Sequence, residues 1–200
     1  MFALTPWNRR PGQPLRDGNI YPECRAMRGL LLAAGLLTVA GCASPQKDAR
    51  YMAGHSRAQA DLKMADGTDV GKAIAEEVDG SIRVMVEVHG LTRGVHGTHV
   101  HTVGKCEGPD FASAGGHWNP TAHQHGKDNP MGPHAGDMPN LSVGEDGRDR
   151  TIFVLPGGTY AGLMDEDGAA LVVHANADDY KTDPTGNSGG RIACGVFHAM

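Results

Sequence analysis

The residues best suited to chemistry in this sequence are its eleven histidines, most of which lie between His96 and His174. His99 and His101 are two positions apart in a segment with the character of a β-strand, so their side chains share a face about 7 Å apart. Two imidazoles at that separation can converge on one metal ion bound about 2 Å from each nitrogen. Further candidate ligands follow along the chain: His117, His123, His125, His134, Asp137 and His174. The sequence therefore predicts a metal centre.

The types of these ligands indicate two different ions. A site built of imidazoles alone suits copper, which stands at the top of the divalent affinity order. A site of three histidines and one carboxylate suits tetrahedral zinc, which has no redox chemistry. We therefore expect a redox-active copper beside a structural zinc.

The elements that must position these ligands are strands, since several segments alternate apolar and polar residues with a period of two. The clearest is 81–88, in which the valines and Ile82 share one face. The other predicted strands are 58–64, 70–78, 97–101, 141–143, 151–155, 169–174 and 191–197. Asp-Gly pairs between strands are a hairpin signal. Without a convincing amphipathic helix, the pattern predicts an all-β fold, an eight-stranded Greek-key β-sandwich or barrel.

Two long segments interrupt the strand pattern, at about 102–140 and 175–190. Loops of this length in a compact β domain are usually functional or disordered. Both contain histidine, aspartate, cysteine or arginine side chains, so we predict two long functional loops.

Six motifs follow one another through this region. They are GVHGTHVH at 94–101, SAGGHWNP at 113–120, HG at 125–126, HAGD at 134–137, ALVVH at 170–174 and GNSGGRIACG at 186–195. In order and spacing they closely resemble the copper/zinc superoxide dismutase family, from about Ala58 to the C-terminus. The resemblance implies a Greek-key sandwich and an oxidoreductase that converts superoxide to O₂ and H₂O₂.

The resemblance also implies which residues bind copper. His99, His101 and His174 match the family's terminal copper ligands. His117 matches the bridging histidine, whose ring contacts copper through one nitrogen and zinc through the other. It is also a catalytic residue by resemblance, since it can gain a proton and donate it to the departing peroxide.

The remaining zinc ligands implied by the resemblance are His125, His134 and Asp137. His123 lies two positions before His125 and could compete with it, although the family spacing favours His125. Asp178 matches a carboxylate that joins a copper-binding histidine to a zinc-binding one, and such partners fix ring orientation.

Other residues are assigned by the same resemblance. Arg191 matches the family's active-site arginine, which can hydrogen-bond a small anion beside the metal. Thr185 matches a residue that narrows the channel opposite it, and Lys181 lies in the same loop as a weaker channel candidate. Cys106 and Cys194 match the intradomain disulfide.

The N-terminal region predicts export. Arginines precede a short apolar run that ends in the sequence VAGC at Cys42, as in a signal peptide. VAGC resembles a bacterial lipobox, which predicts a lipid anchor on Cys42, although an ordinary secretory signal is the alternative. We expect 1–42 to be an N-terminal extension plus signal peptide, 43–56 a flexible tether and 57–200 the enzyme domain. The start at Met1 or Met27 stays open, and the predicted location is the periplasm or cell envelope, with the outer membrane favoured.

Charge limits the possible partners. The net charge is −5 overall, and the residues after Cys42 hold 13 basic and 21 acidic side chains, a net of −8. No basic stripe could pair with nucleic-acid phosphates, so no nucleic-acid partner is expected. Attraction of superoxide must then come from a local positive field.

Two alternatives remain from the sequence. One is a non-catalytic periplasmic copper/zinc-binding protein that kept the fold, and the other is a copper-only dismutase. The latter is disfavoured by the three candidate zinc ligands. Both a monomer and a homodimer are compatible with the sequence.

Overall fold

Antiparallel strands make up most of the computed structural model, which describes residues 56–200. Ten strands occur there: β1 (Arg57–Lys63), β2 (Asp69–Val78), β3 (Ser81–Val88), β4 (Gly94–His96), β5 (Thr98–His101), β6 (Leu141–Val143), β7 (Asp149–Val154), β8 (Ala170–His174), β9 (Arg191–Val196) and β10 (His198–Ala199). The helical elements in this part are a 3-10 turn, Ala112–Ala114, and a four-residue helix α1, Tyr160–Leu163. The predicted all-β fold is confirmed, and each predicted strand is present within two residues of its expected bounds. The short strands β4 and β10 are additional.

The large sheet has the strand order β5-β8-β9-β1-β2-β3-β7, with β10 pairing to β1. A separate two-stranded sheet joins β4 to β6. Strands distant in sequence are therefore neighbours, as in a Greek key. The arrangement brings β5 and β8, which carry three of the candidate ligands, side by side.

The pairing of β2 with β3 shows how local sequence sets this geometry. Val84 and the other inward side chains of β3 are buried, whereas Arg83 is exposed, because successive side chains point to opposite faces. Asp79 and Gly80 connect the two strands, and both have positive φ. That conformation is the one two-residue hairpin loops require.

Strand β8 is buried along its whole length. Leu171 and Val173 pack into the main core between the sheet faces. Ala170 and Val172 point the other way and pack with Phe111 in a second cluster. A strand buried on both faces reads as a continuous apolar run rather than an alternating one, which is how this segment appears in the sequence.

A disulfide joins Cys106 to Cys194 across 88 positions of sequence. Cys194 is a buried residue of β9. The bond therefore fastens the start of the first long loop to the strand that begins with Arg191.

The predicted signal peptide, the lipobox cysteine Cys42 and the tether up to residue 55 lie outside the described residues. From residue 56 to residue 200, no helix has the length and apolar character needed to cross a membrane.

Candidate metal centre

Four buried imidazole nitrogens have no hydrogen-bond partner in the described structure. They are His99 Nδ1, His101 Nε2, His117 Nε2 and His174 Nε2. One donor atom from each of these four residues lies within 4.8 Å of the others. A buried polar atom normally has a partner, so four unpaired nitrogens facing one another point to an ion as their common partner. We call these four residues the imidazole cluster.

The other nitrogen of each ring in the imidazole cluster is held by an acceptor oxygen. These acceptors are Asp178 Oδ2 for His99 Nε2 at 2.7 Å, the Gly115 carbonyl for His101 Nδ1 at 2.9 Å, Asp137 Oδ1 for His117 Nδ1 at 3.0 Å and the Gly189 carbonyl for His174 Nδ1 at 3.3 Å. A neutral imidazole that donates from one nitrogen keeps a lone pair on the other. For His99, His101 and His174 the environment thus selects the tautomer that leaves the metal-facing nitrogen free. His117 differs, because its Nδ1 faces Asp137 in a second group of candidate ligands.

Strand β5 brings the ligands together because it is paired on both edges. On one edge it pairs with β8, in the register His99 opposite Val172. On the other edge it forms isolated bridges to the first long loop, His99 with Asp137 and His101 with His117. The loop ligands are therefore positioned by backbone hydrogen bonds to the strand.

Burial keeps the imidazole cluster neutral. It lowers the pKa of His99 to about 3 and that of His174 to about 4. The pKa values of His101 and His117 are also lowered, chiefly by burial. Removing an imidazolium from water is unfavourable, and the neutral ring is the form that binds a metal.

A second cluster lies on the opposite side of the His117 ring. Asp137 Oδ1 is 3.0 Å from His117 Nδ1, 3.0 Å from His125 Nδ1 and 3.3 Å from His134 Nδ1. His134 Nδ1 is also 3.4 Å from His117 Nδ1. Three imidazoles and one carboxylate converging in this way match the ligand set of tetrahedral zinc. We call these four residues the carboxylate cluster.

The charge balance of the carboxylate cluster suits a cation. Burial alone would raise the pKa of Asp137, but hydrogen bonds from the three histidines hold it well below its usual range. Burial alone would lower the pKa of His125, yet hydrogen bonds to Asp137 and Asp178 outweigh it and raise the pKa to about 9. A divalent ion would take the place of this proton, as metal binding generally does.

Another grouping of donor atoms is geometrically possible. His99, His117, His125 and Asp137 also offer donor atoms within 4.8 Å of one another. His99, however, is committed on both sides, because its Nε2 meets Asp178 and its Nδ1 is one of the unpaired nitrogens of the imidazole cluster. The distances around Asp137 therefore favour His134 as the fourth member.

The competing residue His123 is exposed, and its Nδ1 contacts the Pro133 carbonyl at 3.1 Å. His125 is fully buried against Asp137. The structure thus brings His125 and not His123 to the carboxylate cluster. The two residues differ in burial although they are two positions apart, because this segment is a loop and not a strand, and side chains two positions apart in a loop need not share a face.

Asp178 connects the two clusters. Its Oδ2 lies 2.7 Å from His99 Nε2 and its Oδ1 lies 2.9 Å from His125 Nε2. Gly186, with φ of 62°, lies directly against this carboxylate, and a Cβ there would overlap Asp178 Oδ1. Only a residue without a side chain fits beside this link.

Arg191 is half-buried at the start of β9, and its guanidinium donates to two carbonyls of the disulfide-bonded loop, Phe111 and Gly115. The Gly115 carbonyl is also the acceptor for His101 Nδ1. The guanidinium is therefore anchored at the same oxygen as a ring of the imidazole cluster, which places a fixed positive charge beside it.

The remaining candidates lie at the edge of the site. Thr185 and Lys181 are exposed residues of the loop between β8 and β9, so their role in a channel stays a prediction. His96 is buried, with its Nδ1 2.8 Å from the His174 carbonyl oxygen and its Nε2 2.9 Å from the Thr92 carbonyl oxygen. It braces the backbone of β8 and adds no nitrogen to either cluster.

Asn140 is a functional position that sequence reasoning missed. Its side chain accepts from Asp178 N at 2.8 Å and donates to the Asp178 carbonyl at 2.9 Å. It lies immediately before β6, in no recognisable motif, and 38 positions from its partner. No pattern in the sequence indicated this contact.

Comparisons with known proteins agree with this geometry. A family model described as copper/zinc superoxide dismutase (SODC) matches residues 70–197. The Aquifex aeolicus copper/zinc superoxide dismutase 1 is 42% identical over 146 residues, covering 70% of this chain and 86% of that protein.

Solved structures are similar as well. A double mutant of a SOD-like protein from Bacillus subtilis superposes with a TM-score of 0.65 at 43% identity, covering 69% of this chain and 95% of that one. The Cu/Zn superoxide dismutase from Brucella abortus gives a TM-score of 0.60 at 30% identity, covering 71% and 99%.

Proposed function

This chain belongs to the copper/zinc superoxide dismutase family, an oxidoreductase family with copper and zinc as cofactors, and from that premise we propose how its own residues carry the reaction. His99, His101, His117 and His174 would hold copper, and His117, His125, His134 and Asp137 would hold zinc. The net reaction converts two superoxide ions and two protons into O₂ and H₂O₂. Copper, when bound, supplies the one-electron couple, and zinc supplies a fixed positive charge without redox chemistry.

The observation that carries this proposal is the position of the His117 ring. Its Nδ1 is 3.0 Å from Asp137 Oδ1 in the carboxylate cluster, and its Nε2 is an unpaired nitrogen of the imidazole cluster. A ring with one nitrogen in each cluster supports a bridging role. When no metal is bound to Nε2, the His117 ring would hold a proton at that nitrogen and pass it to the departing peroxide.

Arg191 supplies the local attraction for the substrate. The enzyme domain is acidic overall, so its net field repels an anion. A guanidinium stays charged at all physiological pH values and can hydrogen-bond a small oxyanion. Its anchoring at the Gly115 carbonyl, shared with His101, supports a role in binding superoxide beside the imidazole cluster.

The test is metal analysis and a superoxide decay assay on one purified sample. The proposal predicts about one copper and one zinc per chain and decay far faster than the spontaneous rate. His117→Ala should abolish most of this activity, whereas His123→Ala, which removes an exposed imidazole, should leave it unchanged. A protein that binds both metals and leaves superoxide at its spontaneous rate would instead be the non-catalytic copper/zinc-binding protein.

We further propose that the protein acts in the bacterial cell envelope, attached by lipid at Cys42, and protects it from superoxide. The lipobox-like sequence VAGC at 39–42 supports an anchor on Cys42. Two or more acyl chains on that cysteine would attach the protein stably, because a single chain gives only reversible membrane binding. Self-association as a homodimer is tested by sedimentation of residues 43–200, which comprise the predicted tether and the enzyme domain.

A further inference from the structure

Asp178, whose carboxylate links the two clusters, is itself held in place through its backbone. Asn140 makes two hydrogen bonds to Asp178, accepting from its N–H at 2.8 Å and donating to its carbonyl at 2.9 Å. The two hydrogen bonds hold both backbone polar groups of Asp178, and so fix the backbone on either side of its Cα. Whatever fixes Asn140 therefore also fixes the link between His99 and His125.

Tyr180 is the residue that fixes Asn140. Its hydroxyl oxygen accepts from the Asn140 N–H at 2.9 Å. Its own backbone N–H donates to Asp178 Oδ1 at 2.6 Å, the same oxygen that contacts His125. Tyr180 thus reaches Asp178 in two ways. Its backbone N–H contacts the carboxylate directly, and its hydroxyl contacts Asn140, which holds the backbone of Asp178.

The same tyrosine also contacts the loop that carries His125. The Tyr180 carbonyl accepts from Asp128 N at 2.9 Å, and Lys127 Nζ lies 4.4 Å from the ring centroid. Gly126 packs so closely against that carbonyl that a Cβ there would overlap it. The segment 126–128 is therefore seated on the backbone and ring of Tyr180.

The backbone of Tyr180 is itself unusual, with a φ of 62°. A bulky residue in the left-handed region costs free energy and persists only where surrounding contacts determine the conformation. The contacts of Tyr180 to Asn140, Asp178 and Asp128 hold its backbone in this conformation.

We propose that Tyr180 is a positioning residue that holds three segments in register, the loop at 126–128, Asn140 before β6 and Asp178 before β9. It acts through Asp178 on the His99 and His125 rings, and so controls how firmly zinc is retained and how the copper ligands are oriented. This inference rests on the proposed function, because it takes the two clusters to be the zinc and copper sites.

The test is Tyr180→Phe in the metal-loaded enzyme with its disulfide intact. The change removes only the hydroxyl, which leaves the Asn140 N–H without its partner while the ring and the backbone contacts remain. Zinc release to a chromogenic chelator should accelerate about tenfold, since the partly buried Asn140 N–H loses its acceptor and its hold on Asp178 loosens. The Cu(II) electron paramagnetic resonance (EPR) spectrum should also shift from that of the wild type.

Tyr160→Phe is the matched control, because Tyr160 is the other half-buried tyrosine among residues 56–200 and lies on α1. Its zinc release and EPR spectrum should equal those of the wild type. A double variant that adds Asn140→Ala should show little extra effect of Tyr180→Phe, because both changes break one chain of contacts. Wild-type zinc release and an unchanged spectrum in folded Tyr180→Phe would overturn the proposal, and so would full additivity in the double variant.

The outcomes separate this inference from the proposed function. If the wild type consumes superoxide rapidly and Tyr180→Phe releases zinc at the wild-type rate, only the role of Tyr180 fails. If the wild type binds both metals without consuming superoxide, the dismutase proposal fails, and the comparison of zinc release rates still decides the role of Tyr180.

Discussion

Single residues set the chemistry of this site through the choice of nitrogen on each ring. His99 keeps Nδ1 free because the Asp178 carboxylate holds its Nε2, whereas His101 and His174 keep Nε2 free because backbone carbonyls face their Nδ1. These three imidazoles are thus set as neutral ligands, each with a lone pair on its unpaired nitrogen.

Removing the positive charge at Arg191 should slow substrate capture. We expect Arg191→Ala to lower kcat/KM by about tenfold or more, equivalent to about 1.4 kcal/mol, because the local attraction for superoxide is lost. Copper content should be retained, because the guanidinium donates to the carbonyls of Phe111 and Gly115 and offers no ligand atom to a metal. Stopped-flow superoxide decay at low ionic strength, with copper quantified in the same sample, measures both.

Arg93→Ala is the control for Arg191→Ala, because Arg93 is an exposed arginine paired with Glu145 and its loss changes the net charge equally. Only a local field distinguishes the two variants. Equal losses in both, or no loss in Arg191→Ala, would show that the guanidinium does not steer the substrate.

A methyl group at Gly186 should disturb both clusters. In Gly186→Ala the new Cβ would overlap Asp178 Oδ1 and lie 2.6 Å from His125 Nε2, and the residue would be strained at a φ of 62°. We expect zinc content to fall and the free energy of unfolding to drop by at least about 1–2 kcal/mol. Gly116→Ala should change neither, because no atom lies within 4 Å of a Cβ at Gly116. Full zinc content in Gly186→Ala would contradict this account of the Asp178 link.

The candidate metal ligands could be predicted from the sequence, whereas the groups that orient them could not. The motifs around His99, His117 and His174 contain the donors themselves, so their types and order indicate the ions. The acceptors that select each tautomer are mostly backbone carbonyls, such as those of Gly115 and Gly189, which carry no sequence signal. Asn140 and Tyr180 act through contacts across long sequence separations, and no local pattern encodes them.

At the scale of elements, the strands and the long loops followed different rules. Strands such as β3 were predictable because burial on one face imposes a period of two. The first long loop has no such period, and its course is set by isolated bridges to β5 and by the disulfide. The positions of the two long loops along the chain could therefore be predicted from the sequence, but their conformations could not.

Breaking the disulfide should loosen the loop that anchors Arg191. We expect the double variant Cys106→Ser, Cys194→Ser to lose roughly 4–5 kcal/mol of unfolding free energy, because a loop of 88 positions is no longer closed in the unfolded chain. Chemical denaturation of the metal-free variant and wild type under non-reducing conditions measures the difference.

Reduced wild-type protein is the control for that variant and should unfold at the same denaturant concentration as the double serine form. Activity of the metal-loaded variant should also fall, because the carbonyls of Phe111 and Gly115 are no longer held beside Arg191. An unfolding free energy equal to that of the oxidised wild type would contradict the predicted role of the bond.

At the scale of the whole molecule, the proposed lipid anchor at Cys42 would determine where the enzyme works. We expect the full-length protein expressed in a Gram-negative bacterium to fractionate with membranes, because acylation at Cys42 attaches it. Cys42→Ser should move it to another fraction with the activity per chain unchanged, since the described domain begins far beyond that residue. Membrane association of Cys42→Ser equal to that of the wild type would remove lipidation as the cause.

The claim on which the molecule's function depends is that one ring, His117, joins two metal sites. The most direct measurement is EPR spectroscopy of protein with Cu(II) in the imidazole cluster and paramagnetic Co(II) in the carboxylate cluster. A shared imidazole ring couples the two spins, so we predict that the copper signal is largely lost and returns when Zn(II) replaces Co(II). A copper signal of full intensity beside bound Co(II) would show that the two sites do not share the ring.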